Sequence, residues 1–162
     1  MRKPMKKFGA ALLLALLLAC GQAPAPEAAQ APEPAPPPPP PPRDQSFRFP
    51  KEGLVGTSIA ADHVLGKDFL PPGNVAEYSR GGKTYTLFLI NAAGEEQATM
   101  LAFDIKGNLT EPAFIADFGG HFGTLDGEPW FIFPRKGVVA GIVGLPQQEA
   151  HETGRAFAGL LD

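Results

Sequence analysis

The sequence predicts an α+β domain: an antiparallel sheet of about five strands with two helices on one face, in residues 43–162 of a 162-residue chain. Three observations lead there. The pairs Gly81-Gly82, Asp126-Gly127 and Lys136-Gly137 are tight-turn signals flanked by β-branched and aromatic residues. Segments 94–106 and 146–161 change to the 3.6-residue period of amphipathic helices. After Pro112 the strand spacing leaves no room for crossover helices, so those strands are antiparallel. The predicted order is β-β-α-β-β-β-α.

The opening, Arg43 to Gly73, spreads apolar residues among Gly and Pro and reads as an irregular segment wrapping the core, with a short helical turn at Ser58 to Leu65 capped by Thr57 or Ser58. Val75 to Arg80 and Lys83 to Ile90 form a hairpin around Gly81-Gly82. Its second strand, apolar on both faces toward its end, is central. In the next segment Ala98, Leu101, Ala102 and Ile105 share a helix face, Glu95 and Glu96 suit the positive helix end, and Gly107 reads as a left-handed stop. Ala113 to Phe118, Trp130 to Phe133 and Val138 to Val143 are three more strands, the first ending at a Gly119-Gly120 turn. Pro146 starts the last helix, with Ala150, Gly154, Phe157, Leu160 and Leu161 on one stripe. This outline resembles the small sheet-plus-helix domains of the PsbP and Mog1 group in element order alone, which carries no function across.

Ahead of the domain the chain has a different character. Arg2, Lys3, Lys6 and Lys7 precede an apolar run from Phe8 to Ala19. At about 12 residues this run is shorter than the roughly 20 needed to span a bilayer, the layout of a cleaved export signal over residues 1–19. Leu17-Leu18-Ala19-Cys20 then resembles the lipobox of bacterial lipoproteins. That resemblance implies a diacylglycerol thioether on Cys20, cleavage before it by the lipoprotein signal peptidase, and acylation (palmitate) of the new amino terminus. Two or more chains make a lasting anchor where one does not. In that family Asp after the Cys favours the inner membrane, so Gly21 favours the outer membrane, facing the periplasm.

Residues 20–42 hold the lipidated Cys and an Ala/Pro-rich disordered linker that ends in seven prolines, Pro36 to Pro42. In polyproline II at about 3.1 Å per residue, the 22 residues from Gly21 reach roughly 60–70 Å, a spacer for standoff.

Composition narrows the function. Cys20 is the only cysteine, which excludes a disulfide-stapled scaffold. The domain carries 15 acidic residues against 10 basic, a net −5 that argues against nucleic acid and anionic lipid as partners of the domain itself. Among candidate chemistries, His63, His121 and His151 are at least 30 residues apart, without metalloprotease spacing. Together with nearby carboxylates they are the only basis for a small metal-dependent hydrolase. No Ser sits in a nucleophile turn, and the lipobox resemblance implies that Cys20 is consumed by lipid.

The most unusual segment, Gly119-Gly120-His121-Phe122-Gly123, lies near Phe114, Phe118, Trp130 and Phe133. It reads either as a pocket for a small apolar ligand or a protein contact, with His121, Phe118, Phe122 and Trp130 as lining, or as rings filling the core around a glycine corner, the commoner outcome. No catalytic residue, metal ligand or cofactor is assigned. The expected role is a non-catalytic binding or envelope-support module, anchored to a membrane by lipid and meeting an envelope protein. The alternatives are the metal-dependent hydrolase and a periplasmic ligand-binding domain.

Overall fold

The structure, a computed structural model, describes residues 42–162. In chain order the elements are β1 (Leu54–Ala60), β2 (Gly73–Arg80), β3 (Lys83–Asn91), α1 (Glu95–Lys106), β4 (Thr110–Ile115), β5 (Gly120–Leu125), β6 (Glu128–Arg135), β7 (Val138–Val143) and α2 (Gln147–Ala158). The seven strands form one antiparallel sheet in the order β1-β2-β3-β7-β6-β5-β4. Positive φ at Gly81-Gly82, Asp126-Gly127 and Lys136-Gly137 closes three hairpins, as the turn chemistry requires. The remaining long connection is α1, which carries the chain from β3 to the far edge at β4. The strands then return one by one until β7 pairs with β3.

Both faces of the sheet centre are buried. Leu87 and Leu89 of β3, Phe131 and Phe133 of β6, and Ala140 and Ile142 of β7 cluster with Ala150 and Phe157 of α2. The alternate residues Phe88, Ile90, Trp130, Ile132 and Val139 cluster with Ala98, Ala102 and Ile105 of α1. At about 1.5–3 kcal/mol for each large apolar side chain removed from water, neither face can be left bare. The two helices therefore cover opposite faces, not one face. The period-2 run of apolar residues on both sides of β3, β6 and β7 demands two covers.

Two glycines make room for rings packed against them, Gly141 within the sheet and Gly154 between helix and sheet. A Cβ on Gly141 of β7 would overlap the Phe88 ring, which lies over that gap. A Cβ on Gly154 of α2 would come within 2.8 Å of Phe131 and 3.3 Å of Phe118. Glycine costs about 1 kcal/mol in a helix interior, and at Gly154 that cost is offset by the close approach of helix to sheet.

The sheet has seven strands rather than five, for local reasons. Residues 54–60, read as part of an irregular wrap and a helical turn, form the edge strand β1, almost wholly exposed and so without the alternation that marks a half-buried strand. The only helical turn nearby is a short 3-10 turn at Val64–Gly66. β5 was hidden by its glycines. Gly119 does turn the chain at φ 61°, but Gly120 and Gly123 are strand residues where a Cβ would strike Ile132 and Phe133, or Leu109 and Thr110. The strand before it accordingly runs Thr110–Ile115, and Ala116–Phe118 is a 3-10 turn. Gly107 follows α1 as expected but keeps right-handed φ of −58°, the chain continuing through a hydrogen-bonded turn from Leu109 N to Lys106 O. The signal peptide, Cys20 and the linker lie outside the described residues, apart from Pro42.

Because the Phe88 ring occupies the space of a Gly141 side chain, Gly141→Ala lowers unfolding free energy by about 3 kcal/mol through overpacking. Gly56→Ala in β1, where a Cβ meets nothing within 4 Å, stays within about 0.5 kcal/mol of the parent. Urea midpoints at unchanged denaturant slope measure both.

Candidate functional site

The 3-10 turn Ala116–Phe118, stopped by left-handed Gly119, sends two consecutive side chains in opposite directions. Phe118 enters the layer between sheet and α2, edge-on to Phe131 at 5.0 Å between ring centroids and 5.0 Å from Phe133 and from the His151 ring. Asp117 stays at the surface. There Arg155 donates to its carboxylate at 3.2 Å, and His151 Nε2 lies 3.7 Å from the same oxygen. His151 and Arg155 are four residues apart on α2 and so share a face.

Beyond them, Arg135 at the end of β6 donates to Asp162 at 2.7 Å. This hydrogen bond holds the Asp162 carboxyl below its ordinary range and raises the Arg135 guanidinium further. The two ion pairs, with Phe118, Phe133 and Pro134, line an open cleft of about 310 Å³.

Its lining pairs opposite charges over rings. Each guanidinium is matched by its own carboxylate, so the cleft presents polarity over an aromatic floor without a net charge. His151 Nε2, at 3.7 Å from Asp117, is beyond hydrogen-bond range, and the cleft itself is lined by carboxylates, guanidiniums, rings and small residues. A second cleft, of about 340 Å³, lies at the other end of the sheet and includes Val55, Glu77, Thr84, Thr86 and Glu128. Its charged groups are the carboxylates Glu77 and Glu128, and Glu77 pairs across the strands with Thr86.

The structure separates the four residues singled out from the sequence. Phe118 and Phe122 lie on the α2 side, Phe122 opposite Phe131 in the adjacent strand. His121 and Trp130 lie on the α1 side, His121 opposite Ile132, and Trp130 is buried against Phe88 at 5.8 Å. One pocket cannot include all four, because the sheet runs between them. Phe114 stands 63% exposed on edge strand β4, so the aromatic segment divides among core, cleft and surface.

The three histidines do not converge either. His63 Nδ1 is 2.9 Å from the Leu70 carbonyl, while His121 and His151 are on opposite faces of the sheet. Among the described residues, no three of His, Cys, Asp and Glu are grouped to hold a metal ion. The metal-dependent reading thereby loses the observation on which it rested. Arg135, Arg155 and Asp162 went unnoticed in sequence because they belong to no motif and meet only where the end of α2 packs on β6. The four-residue spacing of His151 and Arg155 was the one legible sign.

No family model matches the chain, and no curated protein or solved structure matches it. Functional argument therefore rests on the residues themselves.

His121 provides a pH test of the α1 side. Burial, with a smaller contribution from Lys106, holds its pKa below the ordinary 6.5, and its Nδ1 is buried without a hydrogen-bond partner among the described residues. On acidification the unfolded chain takes up this proton first. Stability is therefore full above pH 6.5 and falls as pH drops from there toward the folded-state value. Between about pH 7.5 and 5.5 the urea midpoint should decrease for the parent and decrease less for His121→Gln.

Proposed function

We propose that this protein is a bacterial envelope lipoprotein, held by lipid on Cys20, whose acidic C-terminal domain is a non-catalytic binding or support module. The observation that carries the reading is the junction of a lipobox to a 22-residue Pro-rich spacer ahead of one folded domain. Such a chain invests its length in reach. Three acyl chains give stable attachment, and polyproline II keeps the domain at a distance from the bilayer. Gly21 after the lipidated Cys favours the outer membrane with the domain in the periplasm.

The nature of the domain supports binding over chemistry. Its cleft at the end of α2 combines arginine and aromatic groups, the residue types enriched at protein contacts, each arginine paired with a carboxylate. An envelope protein is the partner this composition fits best. The net charge of −5 disfavours nucleic acid.

Two measurements test this. Metabolic labelling with a palmitate analogue should mark the parent chain and not Cys20→Ala; absence of label on the parent would end the anchor reading. In-cell crosslinking followed by mass spectrometry should capture a reproducible envelope protein with the anchored chain only, and that capture should weaken severalfold in Arg155→Glu, which reverses one side of the cleft. Capture of nothing by the anchored chain would count against a protein partner.

A further inference from the structure

We propose that β1 is a self-pairing edge, at which two copies of this chain join their sheets through antiparallel strands related by a two-fold axis at Ser58. The inference goes beyond the anchored-module reading and does not depend on it.

An open sheet has two edges, and here they differ. Edge strand β4 is blunted. Pro112 lacks an N–H, Glu111 brings a charge and a φ of 51°, and the register with β5 shifts between Thr110 and Ala113. These are the devices by which natural sheets block edge-to-edge pairing. β1 reads Leu-Val-Gly-Thr-Ser-Ile-Ala, with neither charge nor proline. Its single irregularity, between Leu54 and Gly56, leaves Gly56 to Ala60 in unbroken one-to-one register with Glu77 to Gly73 of β2. β1 is the outermost strand of the sheet, and along that stretch Gly56 to Ile59 are exposed, Ile59 at 46%. Alternate residues of this stretch turn their N–H and C=O groups outward, and among the described residues none of these has a partner.

The strand is also complementary to itself. With the axis at Ser58, antiparallel pairing sets Thr57 of one copy opposite Ile59 of the other, twice, and Gly56 opposite Ala60. Thr57 pairs with Ala76 in β2 and Ile59 with Asn74, so both face the α2 side. They become two β-branched cross-strand pairs, the kind that stabilises sheets, while the small residues meet on the opposite face. Elsewhere the acidic domains repel one another, and the contact falls where charge is absent. The antiparallel sense also keeps Asp62, just beyond β1, away from its own copy, which a parallel pairing would set alongside it.

A site-specific disulfide tests the pairing. Residues directly opposite in antiparallel strands have Cα atoms about 4.5–5.5 Å apart, inside the disulfide range of about 4.4–6.8 Å. In the full-length chain carrying Cys20→Ala, purified in mild detergent, Ser58→Cys supplies the only thiol. Oxidation should give disulfide dimer at about ten times the level formed by Glu111→Cys on the other edge. Adding Thr57→Lys and Ile59→Lys, both at exposed positions, should abolish that dimer while the thermal unfolding midpoint stays near the parent's. A Ser58→Cys yield no greater than that of Glu111→Cys overturns the proposal. So does a dimer that survives the two lysines in a variant whose unfolding midpoint is unchanged.

Discussion

Every residue of β7 is buried, and its neighbours β3 and β6 are apolar on both faces over most of their length. A strand with no solvent side cannot be part of a two-layer domain, and most other features of the fold answer that requirement. One face is closed by α2 together with Phe49, which stacks on Phe157 at 5.5 Å. The other is closed by α1 and by Val64 and Leu70 from the segment after β1. The Phe88 ring over Gly141 joins the two central strands on the α1 side, so helix spacing, strand spacing and the choice of glycine are one packing problem.

Where the covers stop, the surfaces available for function begin. Both helices lie mainly over β6 and β7, the middle of the sheet. The Arg155–Asp117 and Arg135–Asp162 pairs mark the end of α2, and the Glu77 and Glu128 cleft lies toward the opposite ends of the strands. Neither cleft is enclosed, as expected when the interior is already filled by rings.

Charge reinforces this division. Ion pairs among exposed side chains contribute little to stability, about 0–1 kcal/mol each, so the pairs around the α2 cleft do little to fasten the domain. The hydrogen bonds that fix the N-terminal segment are of another kind. Asn74, buried in β2, accepts from Gln45 N and donates to the Arg43 carbonyl. Arg48 donates to the Leu161 carbonyl, tying that segment to the end of the chain at 2.7 Å. The segment from Arg43 to Arg48 is thus anchored to the sheet and the chain's last residues by partly buried polar contacts.

The sequence by itself determined what local rules govern. The three hairpin turns, helix α1 and the burial of Ala98, Ala102 and Ile105, the start of α2 at Pro146, and the α+β class all follow from turn chemistry and periodicity over a few residues. Tertiary structure decided what those rules do not reach. β1 has too little buried surface to show a period, and β5 uses glycine for close backbone approach where local chemistry reads it as a turn. The face each helix covers depends on where the chain crosses the sheet, which no window of sequence contains. For the same reason His121 and Phe122, adjacent in sequence, lie on opposite sides of the sheet, whereas Asp117 and Arg155, 38 residues apart, meet at one cleft.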